Sequence, residues 1–141
     1  MTADHAGTIM PIVYVDSVDA MRQFYVEKLG FSHMMGMLGR DGKYDFCTVV
    51  LDGARIMLTR PPSHVEGMEP AKARPVTIYL QVVDVNAYHD RLRNAGVKVT
   101  DPLTDQWWGD RTFTVVDPYG YTLWFYQTVG ALKPPPGAKI V

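Results

Sequence analysis

Two similar stretches of sequence decide the fold of this chain. Residues 12–18 read Ile-Val-Tyr-Val-Asp-Ser-Val, and residues 79–85, which lie 67 positions later, read Tyr-Leu-Gln-Val-Val-Asp-Val. Each begins with the β-branched and aromatic residues that favour a strand. Each then reaches Ser17 or Asp84, residue types that cap the N-terminus of a helix. The two stretches therefore predict the same strand-to-helix unit at two places in the chain.

The shift of 67 residues continues beyond these stretches. In both segments apolar residues recur with the spacing of an amphipathic helix, at Val18, Met21 and Tyr25 and again at Val85, Tyr88 and Leu92. Gly30 and Gly96 follow as helix-ending residues with positive φ. Two further turns, at Asp52-Gly53 and at residues 117–120, each lie between predicted strands. In the alignment of the two segments that lead into these turns, Val49 corresponds to Val116. The sequence thus predicts an α+β fold of two βαβββ modules that form a curved, mostly antiparallel sheet cup with helices on the outer face.

The predicted modules span residues 8–60 and 75–128, within one domain over residues 8–128. Residues 61–70 form a Pro-rich connection, and residues 1–7 and 129–141 are extended tails. Two domains joined by a linker are the alternative, but half a chain with one helix favours a shared sheet. The C-terminal tail contains three consecutive prolines, which predicts a mobile end or a strap along a partner subunit.

Composition excludes several classes of protein. The net charge of −1 and the absence of a Lys/Arg run argue against nucleic-acid binding. No apolar run has the length needed to span a bilayer, and the first residues do not read as a secretory signal, so we expect a soluble, cytoplasmic protein with no membrane partner. The lone Cys47 lies in an apolar stretch, which predicts a buried and unreactive thiol.

Four motifs, taken in order, resemble the vicinal oxygen chelate superfamily, which includes glyoxalase I, extradiol dioxygenases and bleomycin-resistance proteins. The motifs are Phe24-Tyr25 with Gly30, Val82-x-Asp84-Val85, Trp108-Gly109-x-Arg111-x-Phe113 and Asp117-Pro118-x-Gly120. The resemblance covers residues 8–128 and is closest to the bleomycin-resistance branch, in the Trp-Gly-x-Arg and Asp-Pro-Tyr-Gly segments.

The resemblance implies that a catalytic member holds one divalent metal with a His or Glu from each of four strands. In this sequence those positions are occupied by Met10, Met57, Thr77 and Trp124. A thioether, a threonine hydroxyl and an indole are poor ligands for such a cation. The sequence therefore predicts no metal, no cofactor and no catalytic residue.

The four histidines do not supply a replacement metal site. His5 lies in the N-terminal tail and His64 in the Pro-rich connection. We expect His89 to be a solvated helix residue. His33 begins the strand after the first helix and is the only one of the four whose position allows it to face the cup.

Strand alternation predicts which side chains line the cup. The predicted ligand-binding residues are Met10, Tyr14, Met57, Tyr79, Gln81, Trp124 and Tyr126, with Trp108 and Arg111 entering from the loop above. Aromatic rings and thioethers among a few polar groups suit a flat or cationic organic ligand. Three alternatives stay open at this point: the face packs on another subunit or fills its own interior, the Trp107-Trp108 pair is structural, and Arg111 pairs with Asp110 or Asp117 instead of clamping an anion.

These observations favour metal-independent sequestration of a small, partly aromatic molecule by a homodimer, as the resemblance to bleomycin-resistance proteins implies. One alternative is a lyase, isomerase or dioxygenase of the same fold. A second is a structural module that binds no small ligand.

Overall fold

The computed structural model describes residues 8–61, 67 and 69–141. Their contacts divide the chain into two compact units, Met1–Glu69 and Pro70–Val141. The boundary falls in the Pro-rich connection predicted from the sequence. His5 and His64 lie outside the described residues.

The first unit has the predicted βαβββ order. Its elements are β1 (Ile12–Tyr14), α1 (Val18–Gln23), which continues into a π-helical turn (Phe24–Lys28), β2 (Ser32–Leu38), β3 (Tyr44–Leu51) and β4 (Ala54–Thr59). The strands form one sheet in the order β1-β4-β3-β2. Only the β1–β4 pair is parallel.

The second unit repeats this architecture. Its elements are β5 (Thr77–Gln81), α2 (Val85–Asn94), β6 (Asp101–Asp105), β7 (Asp110–Val116) and β8 (Thr122–Thr128), and the sheet order is β5-β8-β7-β6. The α+β fold of two βαβββ modules is therefore confirmed. The shared sheet is not: each unit forms its own four-stranded sheet, and within the described residues no strand of one sheet pairs with a strand of the other.

The strand registers of the two sheets follow the shift of 67 residues. Ile12 lies opposite Met57 in the first sheet, and Tyr79 lies opposite Trp124 in the second. The third strands depart from this shift by one residue, since Thr48 lies opposite Met57 in the first sheet and Thr114, not Val115, lies opposite Trp124 in the second. By register Val49 corresponds to Val115, so its sequence alignment with Val116 was wrong by one position.

Both helices are capped as predicted. Ser17 Oγ accepts a hydrogen bond from the Ala20 N–H, and Asp84 Oδ1 accepts one from the Ala87 N–H at 3.0 Å. Gly30 and Gly96 follow the helix ends with φ of 79° and 81°, a conformation that glycine adopts without steric cost. The caps determine where each helix starts and stops over its sheet.

Each sheet packs one face against the helix of its own unit, and that helix does not cover the other face. In the second unit Leu123 and Phe125 are fully buried, and Tyr88 of α2 packs edge-on to Phe125. Val76, which precedes the first residue of β5, is exposed. We call the uncovered side the open face of each sheet.

The histidines and the cysteine lie on the helix side of their sheets. His89 is 9 % exposed and packs edge-on to Phe113, so its assignment as a solvated residue was wrong. His33 Nδ1 accepts a hydrogen bond from Arg22 Nε of α1 at 2.9 Å and does not line the open face. Cys47 is buried, as predicted, and burial raises the pKa of its thiol to about 11.

The first part of the C-terminal tail is attached to its own chain. The backbone N–H groups of Val129, Gly130 and Lys133 donate to carbonyls of the β6–β7 turn. These bonds hold residues 129–133 to the chain's own β6–β7 turn, so this part of the tail is not a mobile end, while a strap along a partner subunit stays a prediction. In the described part of the chain, neither helix has the length and hydropathy that crossing a bilayer requires.

Candidate ligand-binding site

The open face of the second sheet contains a concave pocket of about 380 Å³. This volume is in the range of small-molecule sites, about 300–1,000 Å³. The lining is mostly hydroxylated, with one aromatic wall, and consists of Thr77, Asp101, Pro102, Thr104, Gln106, Thr112, Thr114, Thr122 and Trp124. These residues come from four strands and the β6–β7 turn, so the sheet itself builds the pocket.

Strand register explains why threonines and a tryptophan meet here. One row of opposed residues crosses all four strands and consists of Tyr79, Trp124, Thr114 and Asp101. Side chains two positions apart on a strand point to the same face. Thr112 and Thr114 therefore share the open face of β7, while Phe113 between them is buried toward α2.

The pocket hydroxyls fall into two groups. Thr114 Oγ1 donates to Asp101 Oδ2 at 2.9 Å, and Thr112 Oγ1 accepts from Gln106 Nε2 at 3.0 Å. Thr77 and Thr122 lie opposite each other on β5 and β8. Among the described residues, no side-chain hydrogen bond engages the hydroxyl of either one. Those two hydroxyls are available to a ligand.

An aromatic cluster continues from the pocket wall. Tyr79 stacks on Tyr126 with centroids 4.2 Å apart, and Trp124 meets the Tyr79 ring edge-on at 5.1 Å. Trp108, in the β6–β7 turn, packs edge-on to Trp124 at 5.7 Å. We refer to Tyr79, Trp108, Trp124 and Tyr126 as the aromatic cluster. Its rings offer a large apolar surface of low conformational entropy beside the polar pocket.

A buried carboxylate orders this cluster. Asp110 is 8 % exposed, and its two oxygens accept from the Tyr79 hydroxyl at 2.6 Å and the Thr128 hydroxyl at 2.7 Å. The Trp108 indole Nε1–H donates to the Tyr79 oxygen at 3.0 Å. Burial and the bond to Asp110 raise the pKa of Tyr79 to about 12. The phenol is therefore neutral at physiological pH and cannot serve there as a base.

Arg111 lies away from the pocket. It occupies β7 next to Asp110 and shares the face of the buried Phe113. Its Nε and Nη2 donate to the Asp105 carboxylate at 2.6 and 3.2 Å. The expectation that Arg111 enters the cup from a loop is wrong, and its ionic partner is neither Asp110 nor Asp117. This ion pair lowers the pKa of Asp105 and raises that of Arg111.

The other predicted site residues divide between the two units. Gln81 lies on the open face of the second sheet, opposite Tyr126. Met10, Tyr14 and Met57 belong to the first unit, where Met57 lies on the open face between Ile12 and Thr48. The row equivalent to the pocket row is Ile12, Met57, Thr48 and Met35. The two rows correspond in position, but the first is apolar where the second is aromatic and polar.

The four positions at which the resemblance implied metal ligands do not fit a divalent cation. Thr77 and Trp124 line the pocket together with the Asp101 carboxylate and the Gln106 amide. The hydroxyl of Thr77 is a weak ligand for a divalent cation, and the indole of Trp124 offers only an N–H donor. Within the described residues, no three His, Cys, Asp or Glu side chains group together as a metal site.

Sequence reasoning missed most of the pocket lining. Asp101, Thr104, Gln106, Thr112, Thr114 and Thr122 were not predicted as binding residues, and neither was the buried Asp110. The alternation of Thr112 and Thr114 with Phe113 and Val115 could have revealed two of them. β6 contains Pro102 and little apolar alternation, so no sequence signal marked that strand.

Comparison with known proteins places this fold in a family. The family model described as the Glyoxalase/Bleomycin resistance protein/Dioxygenase superfamily matches residues 2–125. An uncharacterised protein of Mycobacterium tuberculosis is 35% identical over 118 residues, which cover 80% of this chain and 69% of that protein.

Two solved structures show the same fold. TnmS3, an antibiotic binding protein from Streptomyces sp. CB03234, aligns with a TM-score of 0.69 and 26% identity over 90% of this chain and 99% of that one. The bleomycin resistance determinant encoded on transposon Tn5 aligns with a TM-score of 0.68 and 18% identity over 87% of this chain and 98% of that one. The fold, the two-module order and the family match together establish that this chain belongs to the glyoxalase/bleomycin resistance protein/dioxygenase superfamily.

Proposed function

We propose that this protein binds a small, partly aromatic molecule without a metal and sequesters it, as bleomycin-resistance proteins do. The observation that carries the proposal is the pocket on the second sheet, in which Trp124 and free threonine hydroxyls stand beside the aromatic cluster. A filled interior would not leave about 380 Å³ of space next to these groups. A flat ring stacks on the cluster, and polar substituents of the ligand meet the hydroxyls.

The charges around the pocket favour a neutral or cationic ligand. Asp101 is the only charged side chain among the described lining residues, and Arg111 is paired on the other face. An anion would lose its hydration without gaining a cationic partner. A cation gains the Asp101 carboxylate and the faces of the nearby rings.

The relatives support binding as the activity. TnmS3 is an antibiotic binding protein, and the Tn5 determinant confers bleomycin resistance. In this chain the pocket offers threonine hydroxyls and the Trp124 ring, and these can hold a ligand without breaking a bond. Sequestration requires no more than this.

We further propose that the protein is a cytoplasmic homodimer. We also propose that its two modules arose by duplication of one module. The first sheet exposes a set of apolar side chains on its surface, namely Ile12, Met34, Met35, Met37 and Leu38. A surface of this kind is suited to burial against a second copy. Sedimentation equilibrium tests the dimer, and a monomer at micromolar concentration would contradict it.

The binding proposal is tested by a thermal-shift screen with aromatic antibiotics and aromatic metabolites, because a ligand that prefers the folded state raises Tm. Calorimetric titration of each hit then compares Trp124→Leu with Arg111→Gln. We expect Trp124→Leu to weaken binding about tenfold, since an aromatic pair contributes about 0.5–1.5 kcal/mol beyond the area that it buries. Arg111→Gln should bind as tightly as the original protein, because its side chain lies on the other face.

Two results would overturn the proposal. Equal loss of affinity in both variants would place the ligand elsewhere. Recovery of a chemically altered ligand, detected by mass spectrometry after incubation with the protein, would show an enzyme in place of a sequestering protein.

A further inference from the structure

We propose that residues 129–133, which follow the last strand, are a positioning element of the ligand site: they hold the β6–β7 turn and thereby set the position of the Trp108 ring. The consequence for binding rests on the proposed function, but the positioning itself does not. We call residues 129–133 the C-terminal strap.

The strap is joined to the turn by backbone hydrogen bonds on both sides of Trp108. The N–H groups of Val129 and Gly130 donate to the Gly109 carbonyl at 2.9 and 3.0 Å. The Lys133 N–H donates to the Trp107 carbonyl at 2.6 Å. Three bonds thus engage the carbonyls of the two residues that flank Trp108, and they depend on backbone position alone.

The turn is built for this close approach. Gly109 has a φ of 97°, and an added Cβ there would collide with the carbonyl oxygen of Gly130 and lie 3.3 Å from the Ala131 carbonyl carbon. A side chain at position 109 would therefore push the strap away. At Gly130 an added Cβ would meet nothing within 4 Å, so a small side chain there is tolerated.

The β6–β7 turn connects the strap to the ligand site, because two side chains of this turn contact residues of the site. Trp108 donates its indole N–H to Tyr79 and packs on Trp124, which forms the pocket wall. Gln106, at the start of the same turn, lines the pocket and donates to Thr112. The turn's own bonds, from Gln106 N–H to the Asp110 carbonyl and from Gly109 N–H to the Gln106 carbonyl, fix its shape. The hydrogen bonds from the strap fix the position of the β6–β7 turn relative to the second sheet.

The strap directly follows a residue that is hydrogen-bonded to the buried Asp110. Thr128, the residue before it, donates its hydroxyl to Asp110, and Asp110 accepts the Tyr79 hydroxyl bond on its other oxygen. The aromatic cluster is therefore anchored from the end of β8 and from the turn at once. Loss of the strap should release Trp108 while the strands and their buried face stay intact.

Two truncations test this directly. A chain that ends at residue 128 lacks the strap, whereas a chain that ends at residue 133 keeps all three bonds and lacks only the Pro-rich end. Hydrogen exchange of the three indole N–H groups is followed by NMR on ligand-free protein. In the shorter chain we expect exchange at Trp108 to accelerate about tenfold or more, because several net hydrogen bonds are lost together. The longer chain should exchange as the full chain does.

Point substitutions provide the same comparison with every residue retained. Lys133→Pro, which removes the N–H that donates to the Trp107 carbonyl, should accelerate Trp108 exchange, while Lys133→Ala, which keeps that N–H, should leave it unchanged. Acrylamide quenching of tryptophan fluorescence should increase in the first variant and not in the second. If the shorter truncation fails to fold, judged by circular dichroism, this pair decides the outcome.

Equal Trp108 exchange in the two truncations, or in the two Lys133 variants, would overturn the proposal. Because no ligand takes part in these measurements, a screen that finds none would count against the proposed function alone.

Discussion

Removal of one oxygen atom, in Tyr79→Phe, tests the network that orders the candidate site. The variant keeps the ring that stacks on Tyr126 but loses the hydroxyl that donates to Asp110 and accepts from Trp108. Asp110 is nearly buried and retains the Thr128 hydroxyl on its other oxygen. The substitution therefore leaves one carboxylate oxygen and one indole N–H without a partner.

A hydrogen bond to a charged group contributes about 1.5–3 kcal/mol to stability. Tyr79 itself is 41% exposed, so water can replace part of the lost bonding. We expect Tyr79→Phe to lower the free energy of unfolding by about 2 kcal/mol, which corresponds to about a 30-fold change in the unfolding equilibrium. The raised pKa of Tyr79 has the same cause in part, since Asp110 favours the protonated phenol.

The assay is urea unfolding followed by tryptophan fluorescence at pH 7. All three tryptophans, at positions 107, 108 and 124, lie in the second unit, so the signal reports on that unit. Tyr126→Phe is the matched control, because it makes the same chemical change in the stacked ring and no hydrogen bond to its hydroxyl is found among the described residues. We expect the control to change the unfolding free energy by less than about 0.5 kcal/mol.

A double-mutant cycle with Asp110→Asn isolates the Tyr79–Asp110 bond, and a coupling energy above about 0.5 kcal/mol is expected for groups in contact. If Tyr79→Phe and Tyr126→Phe destabilise the protein equally, the carboxylate does not order the aromatic cluster and the site would have to be described without it.

Three further predictions follow from the same structure. Arg111→Gln should raise the pKa of Asp105 toward the ordinary value of an aspartate, and a carbon-13 NMR titration that shows no change would contradict this. The stabilisation by the ion pair is present above the pH at which the unfolded carboxyl ionises, and it is lost as the pH falls through the lower pKa of the folded state. The Cys47 thiol should resist a disulfide-exchange reagent in native buffer and react in urea, since its pKa of about 11 and its burial both suppress the thiolate; rapid reaction of the native protein would refute its placement. Protein purified without chelator should contain no stoichiometric Mn, Fe, Ni or Zn by elemental analysis, whereas one tightly bound equivalent would contradict the donor chemistry of Met57, Thr77 and Trp124.

Comparison of the two sheets shows how one architecture carries two kinds of surface. Ile12 opposite Met57 in the first unit corresponds in register to Tyr79 opposite Trp124 in the second. The backbone positions are equivalent, but only the second pair combines rings with hydrogen-bonding groups. The candidate ligand-binding groups are therefore concentrated in the second unit, whereas the equivalent row of the first unit consists mostly of apolar side chains.

The sequence by itself determined the elements and their order, because these depend on local signals. Ser17 and Asp84 mark helix starts, Gly30 and Gly96 mark helix ends, and strand alternation separates Leu123 and Phe125 from Trp124. Such signals act within a few residues, where backbone geometry leaves few choices. The family resemblance rested on the same local motifs.

Only the tertiary structure decided which side chains meet across strands. The one-residue difference in register between the two hairpins places Thr114 opposite Trp124, and the pairing of β6 with β7 brings Asp101 into the same row. The neighbouring residue Arg111 turns to the other face and finds Asp105. The strand register and the position of residues 129–133 against the β6–β7 turn depend on packing between segments that are distant in sequence. For this reason no local sequence pattern predicted the threonine pocket or the C-terminal strap beside Trp108.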